Sequence, residues 1–136
     1  MKFRSDVGGY IKGIRFYKHS NNIGVHTASL WTTTGLRLAT ATFTNETASG
    51  WQEATLPVPV AIAKDTTYIT SYHAVDGRFG FTGGYFSLSK DNPPLHAPAS
   101  SLIGGNGVYK YGTSGFPNLS WMSANYWVDP VFNRTL

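Results

Sequence analysis

The chain has 136 residues, of which 41% are hydrophobic, 15% are aromatic and 13% are charged. This length accommodates one domain with a substantial core, and the high aromatic content excludes an intrinsically disordered chain. The absence of cysteine excludes a disulfide framework, a thiol nucleophile and a thiolate metal site. The formal net charge is +4, but the basic residues are scattered from Lys2 to Arg134, whereas a nucleic-acid surface needs them clustered. We therefore expect one folded domain, residues 1–136, that binds no nucleic acid.

Five segments in the first half of the chain have the composition and the alternation of β-strands. They span residues 10–17, 25–31, 36–43, 50–56 and 67–73. Residues that favour turns separate them, at 20–24, 33–35, 44–50 and 63–66. Strands at this spacing, with no amphipathic helix between them, predict an all-β fold, namely an antiparallel two-sheet β-sandwich of jelly-roll type. Both ends of the chain have strand-like sequences, so the strands around Phe3 and Val131 are expected to be neighbours.

The second half of the chain predicts long, ordered loops that are rich in glycine and aromatic residues. Nine of the 15 glycines lie between Gly77 and Gly115, and aromatic residues stay frequent there. Long structured loops in a compact domain usually carry function. One helical turn is predicted near residues 98–102. A closing strand is predicted at 125–132, and its Pro130 is expected at a sheet edge or a bulge because proline cannot donate a ladder hydrogen bond.

Patterns for catalysis and metal binding are weak in this sequence. The segment Gly105-Asn106-Gly107 lacks the last glycine of a dinucleotide fingerprint, and no spacing pairs two of the 7 acidic residues as glycosidase carboxylates. Three histidines, His26, His73 and His96, would form a metal site only if the fold gathered them. We expect no catalytic residue and no cofactor. Any calcium ion would be structural, held by loop carbonyls and one or two carboxylates.

The abundance of aromatic rings and the scarcity of charge favour a carbohydrate ligand. Sugar rings pack their C–H faces on aromatic rings, and their hydroxyls need fixed polar partners. The predicted site lies on the second-half loops and the adjoining strand ends. Its predicted aromatic platforms are Tyr85, Tyr109, Trp121 and Tyr126. Their predicted polar neighbours are His73, His96, Asn106 and Asn125.

The positions of the tryptophans predict which of them are exposed. Trp31, Trp51 and Trp127 lie in predicted strands, so we expect the core to bury them. Trp121 follows a loop-like segment and is expected at the surface. We also expect Arg15, or another cation that leans toward the interior, to pair with Asp129, because each charge interrupts an apolar strand and a charge in that setting is tolerated when it is paired.

No apolar run approaches the roughly 18 residues of a membrane span, and the first residues lack the apolar stretch of a secretion signal. We therefore expect no membrane insertion. The N-terminal residues lead directly into a strand, so we interpret Met1 as the boundary of a fragment of a longer protein.

Several ordered motifs carry a resemblance to a known family. They are Gly9-Tyr10-Ile11-Lys12-Gly13-Ile14-Arg15-Phe16-Tyr17-Lys18, Ser29-Leu30-Trp31, Gly50-Trp51-Gln52, Ser71-Tyr72-His73-Ala74, Pro94-Leu95-His96-Ala97, Gly104-Gly105-Asn106-Gly107-Val108-Tyr109 and Asn125-Tyr126-Trp127-Val128-Asp129. With these motifs, the chain from about Lys2 to Phe132 resembles the bacterial family called domain of unknown function 4082. The resemblance implies a β-sandwich accessory module of a secreted or cell-surface, multidomain protein, beside immunoglobulin-like, adhesive or carbohydrate-active domains. The family carries no established activity.

Two functions remain open on these grounds. One is a carbohydrate-binding module whose partner is a polysaccharide or glycan. The other is a structural or adhesive spacer that contacts neighbouring domains of a longer chain and binds no small ligand. In either case we expect a monomer. We also expect no enzymatic activity, since a glycosidase would need two carboxylates that face each other across a cleft.

Overall fold

The computed structural model describes every residue from Met1 to Leu136, and its regular structure is almost entirely β. The strands are β1 (Lys2–Ser5), β2 (Gly9–Lys18), β3 (His26–Thr32), β4 (Arg37–Thr42), β5 (Gly50–Ile62), β6 (Tyr68–Ala74), β7 (Lys90–Asn92), β8 (Leu95–Ala97), β9 (Val108–Tyr109), β10 (Leu119–Ser120) and β11 (Val128–Asn133). One helical turn, α1 (Ser100–Ile103), and one 3₁₀ turn (Tyr85–Ser87) interrupt them. The all-β prediction and the helical turn predicted near 98–102 are confirmed.

The strands form three antiparallel sheets. A six-stranded sheet has the order β4-β3-β6-β1-β8-β7, a three-stranded sheet has the order β11-β2-β5, and β10 pairs with β9. The five strands predicted in the first half correspond to β2, β3, β4, β5 and β6. The closing strand begins at Val128 rather than Asn125, because Asn125 forms an isolated bridge with Thr82. Pro130 lies on β11, an edge strand, as predicted.

The terminal strands are not neighbours in a sheet, so that expectation is wrong. Strand β1 lies between β6 and β8, whereas β11 pairs with β2 in the other large sheet. The outer part of β1 pairs with β8 through Arg4 opposite His96 and Ser5 opposite Leu95. The neighbour of β1 is therefore β8 rather than β11. Strand β8 has only three residues and follows Pro93 and Pro94, so its local sequence does not predict this pairing.

The two large sheets contribute to one apolar core. Phe16 of β2 is fully buried and stacks on Tyr72 of β6, with ring centroids 4.3 Å apart. Ile14 of β2, Leu30 of β3 and Leu56 of β5 belong to the same buried cluster. Burial of each such side chain stabilises the fold by roughly 1.5–3 kcal/mol. On β2 and β5 the core takes alternate residues, such as Ile14 and Phe16 on β2, and the residues between them face outward.

Strand phase corrects the expectation for Trp51. Trp31 is buried as expected, but Trp51 is 44% exposed. Gln52, Ala54 and Leu56 of β5 point inward, so Trp51 lies on the outward face of the strand. Trp127 is only partly buried, because it lies just before β11 rather than within a strand.

Arg15 and Asp129 pair as predicted. They are direct register partners on β2 and β11, and a guanidinium Nη2 atom lies 3.4 Å from Asp129 Oδ2. Arg15 faces outward and is exposed, so the pair lies at the surface of the sheet rather than inside the core. Burial raises the pKa of Asp129, and the nearby guanidinium opposes that rise.

None of the helical segments has the length and apolar character needed to cross a membrane.

Candidate functional site

Loops of the second half bring six aromatic side chains together, and we call this group the ring cluster. Its members are Phe79, Phe81, Tyr109, Tyr111, Trp121 and Tyr126. Neighbouring centroids lie 5.4–6.5 Å apart, in tilted or edge-to-face arrangements. Four members are 39–67% exposed: Phe79, Phe81, Tyr111 and Trp121. A contiguous exposed group of this kind marks an interaction site more often than scattered apolar residues do.

A cleft of about 330 Å³ opens beside these rings, and we call it the ring cleft. Phe79, Tyr109, Tyr111 and Tyr126 of the ring cluster line it, together with the end of β6 and the loop that follows β9. Its volume is at the lower end of the range for small-ligand sites. The ring cleft therefore has room for a ligand of about the size of a small sugar and offers it aromatic walls.

Polar groups hold the loop beside the ring cleft in place. His73 Nε2 donates to the carbonyl oxygen of Gly112 at 3.0 Å, and Lys110 Nζ donates to the carbonyl oxygen of Thr113 at 3.0 Å. Both side chains line the cleft. The Tyr72 hydroxyl is buried beside the cleft without a hydrogen-bond partner, and this burial raises the pKa of Tyr72. The cleft thus combines aromatic walls with a few fixed donors and acceptors.

Three phenols meet at the ring cleft. The rings of Tyr109 and Tyr111 lie 5.4 Å apart, and the rings of Tyr109 and Tyr126 lie 6.0 Å apart. Burial raises the pKa of Tyr126, and the neighbouring phenols of Tyr109 and Tyr111 raise it further. The Tyr126 hydroxyl therefore stays neutral well above physiological pH, so it can both donate and accept hydrogen bonds.

Two tight backbone features place Trp121 at the surface, where the sequence predicted it. The chain turns directly after β10, with the amide of Ala124 donating to the carbonyl oxygen of Trp121 at 3.1 Å. Met122 and Ser123 have φ values of 52° and 48° in this turn. A Cβ atom at Gly107 would overlap the carbonyl oxygen of Ala124. Glycine at this position therefore lets the two loops approach, and Trp121 is left 50% exposed.

A second cleft of about 420 Å³ holds three other predicted residues, Tyr85, His96 and Asn125. The ammonium group of Lys90 lies 4.6 Å from the Tyr85 ring centroid, and the Trp127 ring packs edge-on at 5.0 Å. Tyr85 thus interacts with other side chains of the domain. The structure does not bring these three residues into the ring cleft.

His96 lies between two carboxylates at the edge of the second cleft. Its Nδ1 atom is 2.6 Å from Asp91 Oδ1, and its Nε2 atom is 2.6 Å from Asp6 Oδ2. The hydrogen bonds to Asp91 and Asp6 raise the pKa of His96. The hydrogen bonds from His96 and Arg4 lower the pKa of Asp6. This arrangement links the β1–β2 turn to β7 and β8.

We expect the stabilisation from His96 to depend on pH. Because the pKa of His96 is raised in the folded state, this stabilisation is fully present below the unfolded-state pKa of about 6.5. The stabilisation is lost as pH rises through the folded-state pKa of His96. The lowered pKa of Asp6 adds stability that is lost as pH falls through its folded-state value. The difference in unfolding free energy between wild type and His96→Gln should therefore be largest near about pH 5 and small throughout, because the two carboxylates that pair with His96 are exposed.

Urea unfolding across the pH range, with an NMR titration of the His96 ring, measures this difference. His19→Gln is the control, because His19 is an exposed histidine without a carboxylate partner. A difference for His96→Gln that stays constant from acidic to alkaline pH would contradict the expectation.

Asn106 and Asn125, both predicted as polar neighbours of the ligand, lie in the interior. Asn106 is 0% exposed, and its amide makes four hydrogen bonds to backbone groups. Asn125 is 3% exposed, and its Oδ1 atom accepts from the amide of Trp127 at 2.7 Å. Both side-chain amides hold loops together, and neither residue lines the ring cleft.

The three histidines weighed as metal ligands lie apart. His26 is fully buried, with Nδ1 2.8 Å from Glu46 Oε1 and Nε2 2.8 Å from Asn22 Oδ1. His73 lines the ring cleft, and His96 lies at the second cleft. No group of three or more His, Cys, Asp or Glu side chains is arranged to hold a metal ion.

Four of the eight predicted residues therefore meet at the ring cleft or its ring cluster: His73, Tyr109, Trp121 and Tyr126. Sequence reasoning missed Phe79, Phe81 and Tyr111 as members. A usable signal was present, because each of these rings is next to a glycine in a loop that has no strand pattern. Glycine beside a ring lets the backbone turn and leaves the ring uncovered.

Comparison with known proteins bears on the family of this domain. The family model described as domain of unknown function (DUF4082) matches residues 1–128, which include the whole ring cluster and all residues that line the ring cleft. No curated protein and no solved structure matches the chain. The match covers nearly the whole sequence and confirms the resemblance carried by the motifs. The chain therefore belongs to the DUF4082 family.

Proposed function

We propose that this domain is a non-catalytic accessory module that binds carbohydrate in the ring cleft. The observation that carries the proposal is the ring cluster, in which four of six aromatic side chains are 39–67% exposed beside a cleft. Aromatic faces are the surfaces on which the C–H faces of sugar rings pack. Their concentration at one cleft supports a sugar ligand more directly than composition does.

The polar groups of the ring cleft support the same ligand class. Sugar hydroxyls both donate and accept hydrogen bonds, and phenols and imidazoles can do the same. The Tyr126 hydroxyl can do both, whereas His73 can accept at Nδ1 because its Nε2 already donates to Gly112. Lys110 supplies a donor and Asp76 supplies an acceptor. A small number of fixed polar groups on apolar walls is typical of small-molecule sites.

The carboxylates at the ring cleft support a binding role over hydrolysis. Asp76 is the one acidic residue among those that line this cleft. Most glycosidases need a pair of carboxylates on opposite sides of the scissile bond. We therefore propose that the module holds its ligand without cleaving it.

The wider setting belongs to the proposal as well. The core shared by the two large sheets supports a two-sheet sandwich of jelly-roll type. We propose, as the resemblance of the motifs implies, that the domain is an accessory module of a larger secreted or cell-surface protein. We propose that the module acts as a monomer beside neighbouring domains, and that any bound calcium would be structural.

A spacer role is the second candidate, and one surface favours it. Ile23, Val25 and Val75 are 64%, 59% and 69% exposed. They lie close together: Gly24 stands between Ile23 and Val25 in the chain, and a Cβ atom added at Gly24 would lie 4.0 Å from Val75 Cβ. Apolar residues grouped in this way would suit contact with an adjacent domain.

A glycan array, followed by retention on insoluble cellulose, xylan and chitin, tests the proposed function. We expect the wild-type domain to bind at least one glycan and to release no reducing ends from it. The matched control is the double variant Tyr111→Ala and Trp121→Ala, which should retain its fold and lose binding, because both side chains are largely exposed. Absence of binding across the whole array would favour the spacer, and steady release of reducing ends would overturn the non-catalytic role.

A further inference from the structure

The outward face of the three-stranded sheet carries a second exposed pair of rings. Tyr17 of β2 and Trp51 of β5 are register partners, 40% and 44% exposed. Their centroids lie 5.7 Å apart in an edge-to-face arrangement. Both side chains alternate with buried neighbours, so the strand phase holds them outward. The two rings therefore form a small aromatic platform on a rigid sheet.

Charged groups flank this platform. The Arg15 guanidinium lies 4.8 Å from the Trp51 ring centroid and 3.4 Å from Asp129 Oδ2. Glu53 is the register partner of Arg15 on β5 and is exposed. The platform thus has fixed hydrogen-bond donors and acceptors beside its rings, as the ring cleft does.

The platform continues into the ring cluster. His19 lies 5.8 Å from Tyr17 between ring centroids, and its imidazole rests on Gly80, where a Cβ atom would overlap it. Gly80 lies between Phe79 and Phe81 of the ring cluster. The contacts therefore lead from Trp51 through Tyr17 and His19 to the ring cluster, whose member Phe79 lines the ring cleft.

A second connection fixes the two parts relative to each other. The amide of Tyr17 donates to the carbonyl oxygen of Trp127 at 2.9 Å, and Trp127 Nε1 donates to Thr82 Oγ1 at 3.0 Å. Thr82 follows Phe81 in the chain. The sheet platform and the ring cluster are thus joined by hydrogen bonds as well as by ring contacts.

We infer that the ligand is an extended linear polysaccharide that runs from the ring cleft across His19 to the Tyr17 and Trp51 platform. The inference rests on the proposed function, because it extends the same site. Its specific support is that exposed rings follow one another along a surface with polar groups between them. A chain of repeating sugar units presents the same alternation of apolar faces and hydroxyls.

An extended chain fits this surface better than a protein partner does. Acidic residues are depleted in the apolar centre of a stable protein interface. Here Glu53 is exposed two residues along β5 from Trp51, and Asp129 pairs with the Arg15 guanidinium that lies over the Trp51 ring. Contact with a neighbouring domain or a second copy remains an outcome that the experiment can detect.

Size-graded fragments of cellulose, xylan, chitin and pectin, from disaccharide to hexasaccharide, test the inference by calorimetry. We expect the wild-type domain to bind hexasaccharides of one series more tightly than the disaccharide. Trp51→Ala should weaken hexasaccharide binding about 5- to 150-fold, by analogy with bases that stack on aromatic side chains, and change disaccharide binding less than about 2-fold. Tyr111→Ala removes an exposed ring that lines the ring cleft, so it should weaken the binding of both the disaccharide and the hexasaccharide.

Thr55→Ala is the matched control, because Thr55 is exposed on the same face of β5 and carries no ring. It should leave the binding of both fragments unchanged. Equal affinity for disaccharide and hexasaccharide, or hexasaccharide binding that Trp51→Ala does not change, overturns the extended track and leaves the ring cleft as the site. Dimerisation that Trp51→Ala abolishes overturns it in favour of a second copy. Binding of none of the fragments overturns the extended track and the proposed function together.

Discussion

Replacement of Asn106 by alanine should lower the free energy of unfolding by about 3–5 kcal/mol. Asn106 Oδ1 accepts from the amides of Lys2 at 2.8 Å and Gly107 at 2.7 Å. Its Nδ2 group donates to the carbonyl oxygens of Lys2 at 3.0 Å and Pro98 at 2.9 Å. The side chain is fully buried, so its removal leaves several backbone groups without partners. Each unsatisfied buried group costs about 1–3 kcal/mol.

Urea unfolding of wild type and variant measures this loss. Asn118→Ala is the matched control, since Asn118 is an exposed asparagine in the same half of the chain and should change the free energy of unfolding by less than about 0.5 kcal/mol. Asn106→Asp is informative as well, because it retains acceptor oxygens but loses both donated hydrogen bonds and brings a charge into the interior. A loss below about 1 kcal/mol for Asn106→Ala would contradict the structural role.

Replacement of Trp121 by alanine should have the opposite profile, with a large effect on ligand binding and a small one on stability. The indole is 50% exposed and contacts Phe81 of the ring cluster at 5.6 Å between centroids. Loss of one stacking ring should weaken glycan binding by about 1–3 kcal/mol, or roughly 5–150-fold, by analogy with bases that stack on aromatic side chains. The unfolding free energy should change by less than about 1 kcal/mol, since most of the lost area is already in water.

Calorimetry with the glycan that binds most tightly on the array, together with urea unfolding, measures both quantities. Leu119→Ala is the matched control, because Leu119 is an exposed apolar residue two positions before Trp121 and lies outside the ring cluster. The control should leave binding unchanged. An unfolded Trp121→Ala domain, or a folded one with unaltered affinity, would remove Trp121 from the site.

Local patterns were sufficient for the strands and for several individual residues. Alternation and composition predicted β2 to β6. The missing N–H of Pro130 predicted its edge position, and the charges that interrupt two apolar strands predicted the pairing of Arg15 with Asp129. The outward phase of Trp51 was also readable, because it shares the phase of Glu53, but tryptophan was assigned to the core by residue type alone. Side-chain phase depends on the period of the strand, which the neighbouring residues reveal.

The make-up of the site depended on contacts that are distant in sequence. Asn106 and Asn118 both occur in loops between glycines and aromatic residues, yet Asn106 is buried because its amide meets Lys2, and Asn118 is exposed. Pairing of β8 with β1 places His96 at the second cleft, whereas the approach of Gly107 to Ala124 helps to form the ring cluster. The sequence by itself therefore determined the all-β class, the strand positions and a supply of aromatic loop residues. Only the tertiary structure decided which of those residues share a cleft. Strand pairing and the approach of loops bring together residues that are distant in sequence, and the local sequence around one such residue does not indicate its partner.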